Sequence, residues 1–167
     1  MKPESKNWYA FYTKSRHEKK VSDLLLRRGY EVFLPMQKVM RQWSDRKKKV
    51  EVPLFNSYIF VNTHEHLIPE VLQVPGISWS IRHNDKPAML HPKEYDLINR
   101  FLSTGLTIEV MAADNFDTGD QVKVIDGPLK GAFGWVTSAA PSKFMVSLDL
   151  LGNVMRVELD PALLKKI

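Results

Sequence analysis

A chain of 167 residues with 44% hydrophobic content is long enough for one medium domain or two small ones with a proper core. It contains no cysteine, which excludes disulfide staples, thiol nucleophiles, thiolate zinc sites and iron–sulfur clusters, and no stretch has the form of a signal peptide or approaches the ~18 apolar residues of a membrane span, so a cytoplasmic protein is expected. The net charge of +5 is uneven: residues 1–105 hold 18 Lys+Arg against 11 Asp+Glu, net +7, and residues 106–167 hold 6 against 8, net −2, which either directs the first part at a polyanion and the second at a different partner or leaves two solvated surfaces.

The segment WYAFYTK (8–14) is aromatic and β-prone, a strand with Trp8, Ala10 and Tyr12 on one face and Tyr9, Phe11 and Thr13 on the other. A helix is expected next. Ser15 and Glu18 have capping-box spacing, Val21, Leu24 and Leu25 form an apolar stripe, and Gly29 stands where a left-handed C-terminal residue is wanted, with Lys19, Lys20 and Arg27 left to solvent. A second strand, YEVFLP, leads into the basic MRQWSDRKKKVEV, read as a hairpin with Lys47, Lys48 and Lys49 at a solvated tip, and on to PLFNSYIFV (53–61), whose last five residues suit a central strand. A short helix over PEVLQV stops at Pro75-Gly76, the strand ISWSIRH follows, and HPKEYDLINRFLS (91–103) is a helix with Pro92 in its first turn and Ile98, Phe101 and Leu102 on one face. The order β-α-β-β-α-β-α with a hairpin inside it favours an α+β sandwich, a mixed or antiparallel sheet with helices packed on it.

Beyond Gly105 the helical and strand periods fade, and a linker is expected over 106–115, between a first domain at 6–105 and a second at 116–167. Strands alone are expected in the second. Val122 and Val124 alternate with Gln121 and Lys123, and Phe144, Val146, Leu148 and Leu150 alternate with Met145, Ser147, Asp149 and Leu151 before a two-residue turn at Gly152-Asn153. A sheet this small covers its apolar face by bending into a barrel, with corners at Gly127, Gly131 and Gly134 and with Pro128 fixing φ in the turn.

The spacing of Val122, Val124, Gly127, Pro128, Gly131, Gly134 and Val136 resembles the KOW motif, signature of a small SH3-like β-barrel found in transcription elongation factors and some ribosomal proteins. WYAFYTKSRHEKKVSDLLLRRGYEVFLPM, PLFNSYIFVNT and PGISWSIRHNDKPAML look like the N-terminal (NGN) domain of the NusG family, and with VELD at 157–160 the similarity runs from Trp8 to Leu164. Within that family the chain resembles the specialised antitermination paralogues typified by RfaH. PLFNSYIFV keeps their aromatic positions with Asn56-Ser57 where Pro-Gly or Pro-Asn is usual, and TKSRHEKKV lacks the Ser-Gly-x-Glu of housekeeping members.

The resemblance implies an α+β fold, an NGN sandwich followed by a KOW barrel, in a monomeric, cofactor-free accessory of RNA polymerase that suppresses pausing and termination. Tyr12, Phe55, Tyr58 and Phe60 match the apolar cup that grips the clamp helices of the largest subunit, although as residues they also suit a core. Lys14, Arg16, His17, Lys20 and Arg27 match positions that meet non-template DNA, or are a solvated basic face. Leu150, Leu151, Gly152 and Asn153 match the strand and loop that bind the ribosomal protein NusE or the terminator Rho, Leu150 also suiting the barrel core. Some RfaH-like proteins fold the second domain as a helical hairpin; the glycines and β-branched valines here favour a barrel.

Two rival classes remain. An enzyme would have to use His64 and His66, read as sharing one strand face, but they have no third ligand spaced to join them, and no nucleophile elbow, P-loop or dinucleotide turn is present, so neither catalysis nor a metal is expected. A KOW-containing ribosome-associated or general RNA-binding protein fits the motif, but its barrel would need phosphate-binding charge where this one is net −2.

Overall fold

The computed structural model describes residues 5–112, 119–137, 139–148 and 151–167. Its first part runs β1 (Asn7–Thr13), α1 (Glu18–Arg27), β2 (Glu31–Phe33), β3 (Met36–Gln42), β4 (Lys47–Pro53), β5 (Tyr58–Thr63), a 3-10 turn (Glu65–Leu67), α2 (Ile68–Val71), β6 (Ile77–Ser80), β7 (Arg82–His83), β8 (Lys86–Pro87), β9 (Met89–Leu90) and α3 (Pro92–Ser103). Then come β10 (Glu109–Ala112), β11 (Asp120–Val124), β12 (Phe133–Thr137), β13 (Ala140–Leu148), β14 (Asn153–Glu158), a 3-10 turn (Pro161–Leu163) and β15 (Leu164–Lys166). This is the expected α+β class. The chain forms two compact units, one from the residues up to Pro35 with Phe55–Pro92, the other from Met36–Leu54 with the chain from Lys93 onward.

In the first unit an antiparallel sheet runs in the order β2-β5-β1-β6, with β9 also on β1. The period-2 pattern of β1 sends Tyr9 and Phe11 into a core with Ile59 and Val61 of β5, and α1 closes it with Val21 and Leu25, α2 with Ile68 and Val71. Trp8, Ala10 and Tyr12 therefore take the opposite face of the sheet. The capping box does not form. Arg16 has φ 64°, the His17 amide donates 3.0 Å to the Lys14 carbonyl, and His17, not Ser15, precedes the first helical residue without a side-chain cap. Gly29 ends α1 at φ 85° as its sequence position requires.

In the second unit β3 and β4 form a two-stranded hairpin whose turn is Trp43–Arg46, so Lys47, Lys48 and Lys49 lie in β4 and not at the tip. Six antiparallel strands follow in the order β10-β14-β13-β12-β11-β15. Val122, Val124, Val136, Phe144, Val146, Leu148 and Val157 are buried, but so is Met145, expected to face outward, because Trp135 and Arg156 stand opposite it on neighbouring strands and share its face. Asn153 already pairs with Leu148, so it begins β14 and is not a turn residue. Among the described residues from Gly119 onward, the only helical element is the single 3-10 turn.

The linker expected at 106–115 contains β10, which pairs with β14 throughout its length. The adjoining segment is tied down as well. The Gln37 amide donates 2.9 Å to the Ile108 carbonyl and accepts 2.9 Å from the Ile108 N–H, imitating a ladder pair. Phe101 of α3 stacks on Phe144 at 6.2 Å, and the Arg100 guanidinium donates to the Pro128 carbonyl at 3.2 Å and to that of Lys130.

Glu109 of β10 accepts from Arg156 and from Lys143, the latter at 3.2 Å, and the Arg156 bonds chiefly hold its carboxyl below the ordinary range. A depressed folded-state pKa contributes stability above the unfolded value and loses it as pH falls through the folded value. Because Glu109 is partly open to water, Glu109→Gln should cost at most ~1 kcal/mol at neutral pH. That difference, measured by urea unfolding, should shrink as pH drops below about 4.3.

Candidate partner-binding face

Three neighbouring strands carry one aromatic row at one end of the sheet face opposite α1 and α2. Tyr12 on β1 pairs directly with Tyr58 on β5, their rings edge-to-face at 5.5 Å, and on its other side pairs with Trp79 on β6, stacked at 4.4 Å and 7°. Trp79 is 54% exposed, and Tyr12 and Tyr58 are half-buried. Each such ring pair adds ~1 kcal/mol beyond burial, so the three rings support one another before anything binds them.

Trp79 is the residue that sequence reasoning missed. Strict alternation from Ile77 would send it into the helix-covered core. A register shift between Tyr12 and Thr13, with Thr13 opposite Ile77 and Tyr12 opposite Trp79, inserts Ser78 as an extra residue and turns the indole to the other face. An apolar β segment with an unpaired small residue was the available signal.

Phe55 and Phe60 behave differently from Tyr12 and Tyr58. Phe60 is 1% and Phe55 3% exposed, and in this structure they are packing residues beside the row, not contact surface. Ser57 at φ 67° and the Tyr58 N–H bond to the Phe55 carbonyl turn the chain back, so that Phe55 meets Phe60 edge-on at 6.3 Å despite its sequence parity. Phe33 touches Phe60 at 5.8 Å and Trp8 touches Phe33 at 5.9 Å, extending the aromatic layer.

Lys14, Arg16 and His17 lie in the short β1–α1 connection that follows Tyr12, anchored where the Lys14 N–H donates 2.9 Å to the Gly76 carbonyl. Lys20 and Arg27 are exposed on α1, two turns or ~10 Å apart along one stripe. Glu18, buried in the first turn, sets a carboxylate at the positive end of the helix dipole. Attraction for phosphate must then come from the cationic side chains and not from the helix end.

In the C-terminal sheet Gly127 and Gly131 have φ 85° and 88° beside Pro128, and Gly134 is extended with no room for a side chain. Leu150 lies outside the described residues; Leu151 is half-buried, Gly152 has φ 64° and Asn153 is a strand residue. The exposed apolar groups of this sheet are Phe133, with Lys123 Nζ 5.4 Å from its ring centre, Ile125 and Ile167. His64 and His66 stack at 5.5 Å at the 3-10 turn rather than along a strand, and among the described residues no group of three or more His, Cys, Asp or Glu is placed to hold a metal. No helix among them is long and apolar enough to cross a membrane.

A solved structure describing domain interaction in Thermotoga maritima NusG shares the fold, with a TM-score of 0.58 and 22% identity over 97% of each chain. The transcription termination/antitermination protein NusG of Pseudomonas aeruginosa is 26% identical over 98% of this chain and 99% of its own length, and that of Haemophilus influenzae 27% over 97% and 95%. The sequence profile described as transcription termination factor nusG matches residues 6–99, and by that match the chain belongs to the NusG family.

Proposed function

We propose that this protein is a specialised, RfaH-like elongation and antitermination factor, whose aromatic row docks on the clamp helices of the largest RNA polymerase subunit and so suppresses pausing and termination. The observation that carries this reading is the half-open Tyr58–Tyr12–Trp79 row, three mutually packed rings with the Trp79 indole 54% exposed. Phe55 and Phe60 hold the row from beside it. Lys14, Arg16, His17, Lys20 and Arg27 meet the phosphates of the non-template strand.

In the same reading residues 6–105 serve polymerase, and the module from 116 to 167 recruits NusE or Rho through the Leu151–Gly152 turn and the Phe133 ring. Synthesis stays with the polymerase, so the protein is an accessory without catalysis of its own, acting in the cytoplasm as a monomer. The aromatic positions kept in PLFNSYIFV and the missing Ser-Gly-x-Glu support the specialised role, whereas Asn56-Ser57 departs from the pair usual at that turn. The test is co-purification. The protein should travel with RNA polymerase, whether or not ribosomes also retain it through NusE; recovery with ribosomes alone would replace this reading with that of a ribosome-associated RNA-binding protein.

A further inference from the structure

The β3–β4 hairpin has no part in the reading above, and every residue from Met40 to Lys49 is exposed. Residues 41–49 hold five Lys or Arg and one Asp, so five minus one leaves net +4 in a single finger. Its register places Arg41 directly opposite Lys48, a like-charge pair that costs stability unless an anion lies between them. Lys47 and Lys49 take the other face, so both sides of the ribbon are cationic. At the turn stands Trp43, 44% exposed, with Lys48 Nζ 4.9 Å and the Arg46 guanidinium 5.8 Å from its ring, while the Trp43 N–H donates 2.8 Å to the Arg46 carbonyl.

A solvated lysine loop needs no indole at its tip. An apolar protein contact would not need five cations either. Paired bases hide their faces in the stack, whereas an unpaired base offers a π-face to an aromatic ring and a phosphate on each side to flanking cations. We infer that the hairpin binds a single-stranded nucleic acid, one unpaired base stacking on Trp43 while Arg41, Arg46, Lys47, Lys48 and Lys49 engage its phosphates. The inference stands independently of the polymerase reading.

The test is fluorescence anisotropy of the full chain with labelled oligonucleotides of ~12 nucleotides, as DNA, as RNA and as a DNA duplex. Trp43→Ala should weaken single-strand binding ~10-fold, Trp43→Phe should retain most of it, and duplex binding should change little in either. Lys48→Gln should flatten the dependence of log affinity on log salt by ~0.7 on single strands. Whichever of DNA and RNA shows the Trp43-dependent loss identifies the strand. An unchanged single-strand affinity in a Trp43→Ala variant with wild-type circular dichroism would overturn the inference, as would an equal loss on duplex. Oligoglutamate bound as tightly as the oligonucleotide would overturn it too, since charge alone would then suffice. Binding through α1 instead would respond to Lys20→Gln and Arg27→Gln and not to Trp43→Ala.

Discussion

Trp79→Ala should lower affinity for RNA polymerase ~30-fold, about 2 kcal/mol, while costing the protein itself only the ~1 kcal/mol of its ring stack. The asymmetry follows from where the ring lies. Trp79 is more than half exposed and stacks on Tyr12, so truncation removes exposed ring area but opens no cavity. Tyr12→Ala should cost as much affinity and somewhat more stability, because Tyr12 supports both Trp79 and Tyr58. Phe60→Ala should do the reverse. Its ring is sealed between Phe33 and Phe55, and its removal should destabilise the protein by ~3–5 kcal/mol, with any loss of binding tracking the unfolded fraction. Titration of purified polymerase against each variant, beside its melting curve, separates the two effects. If folded Trp79→Ala and Tyr12→Ala proteins bind polymerase like the wild type, the row is not the docking surface.

The second large effect is expected at Gly134. A Cβ built there would stand 2.1 Å from the Met145 carbonyl oxygen and 2.7 Å and 2.8 Å from the Phe144 ring. Neither neighbour has room to retreat, since Met145 lies in the adjacent strand and Phe144 is fully buried and stacked on Phe101. Gly134→Ala should therefore cost ~3 kcal/mol or more, enough to unfold much of the C-terminal sheet. Gly127→Ala meets open space, and only its φ of 85° resists, so ~1–2 kcal/mol is expected. Urea unfolding of both variants checks the order, and equal midpoints would show that the sheet relaxes at β12 more easily than its packing implies.

Much of the fold was legible because its causes are local. The alternation along β1 separated Tyr9 and Phe11 from Tyr12, the α1 stripe named Val21 and Leu25, and the glycines around Pro128 marked the bends of the C-terminal sheet. Two rings of the aromatic row, Tyr12 and Tyr58, were named from the family resemblance, and their pairing was expected from two strands lying side by side. The basic run was visible as a hairpin, but the turn fell at Trp43–Arg46 because register, not charge, chooses it.

What the residues determined alone was the direction of each side chain within its own strand or helix, together with the places where only glycine fits a bend, since both depend on backbone geometry over a few positions. Tertiary structure alone decided the rest. The bulge that turned Trp79 outward, the sealing of Phe55 and Phe60, the addition of β10 to the C-terminal sheet, and the clasp of Gln37 on Ile108 across 71 positions all arise where segments distant in sequence compete to bury apolar area and satisfy backbone groups. That competition is settled by the whole packed chain, and no window of neighbouring residues contains it.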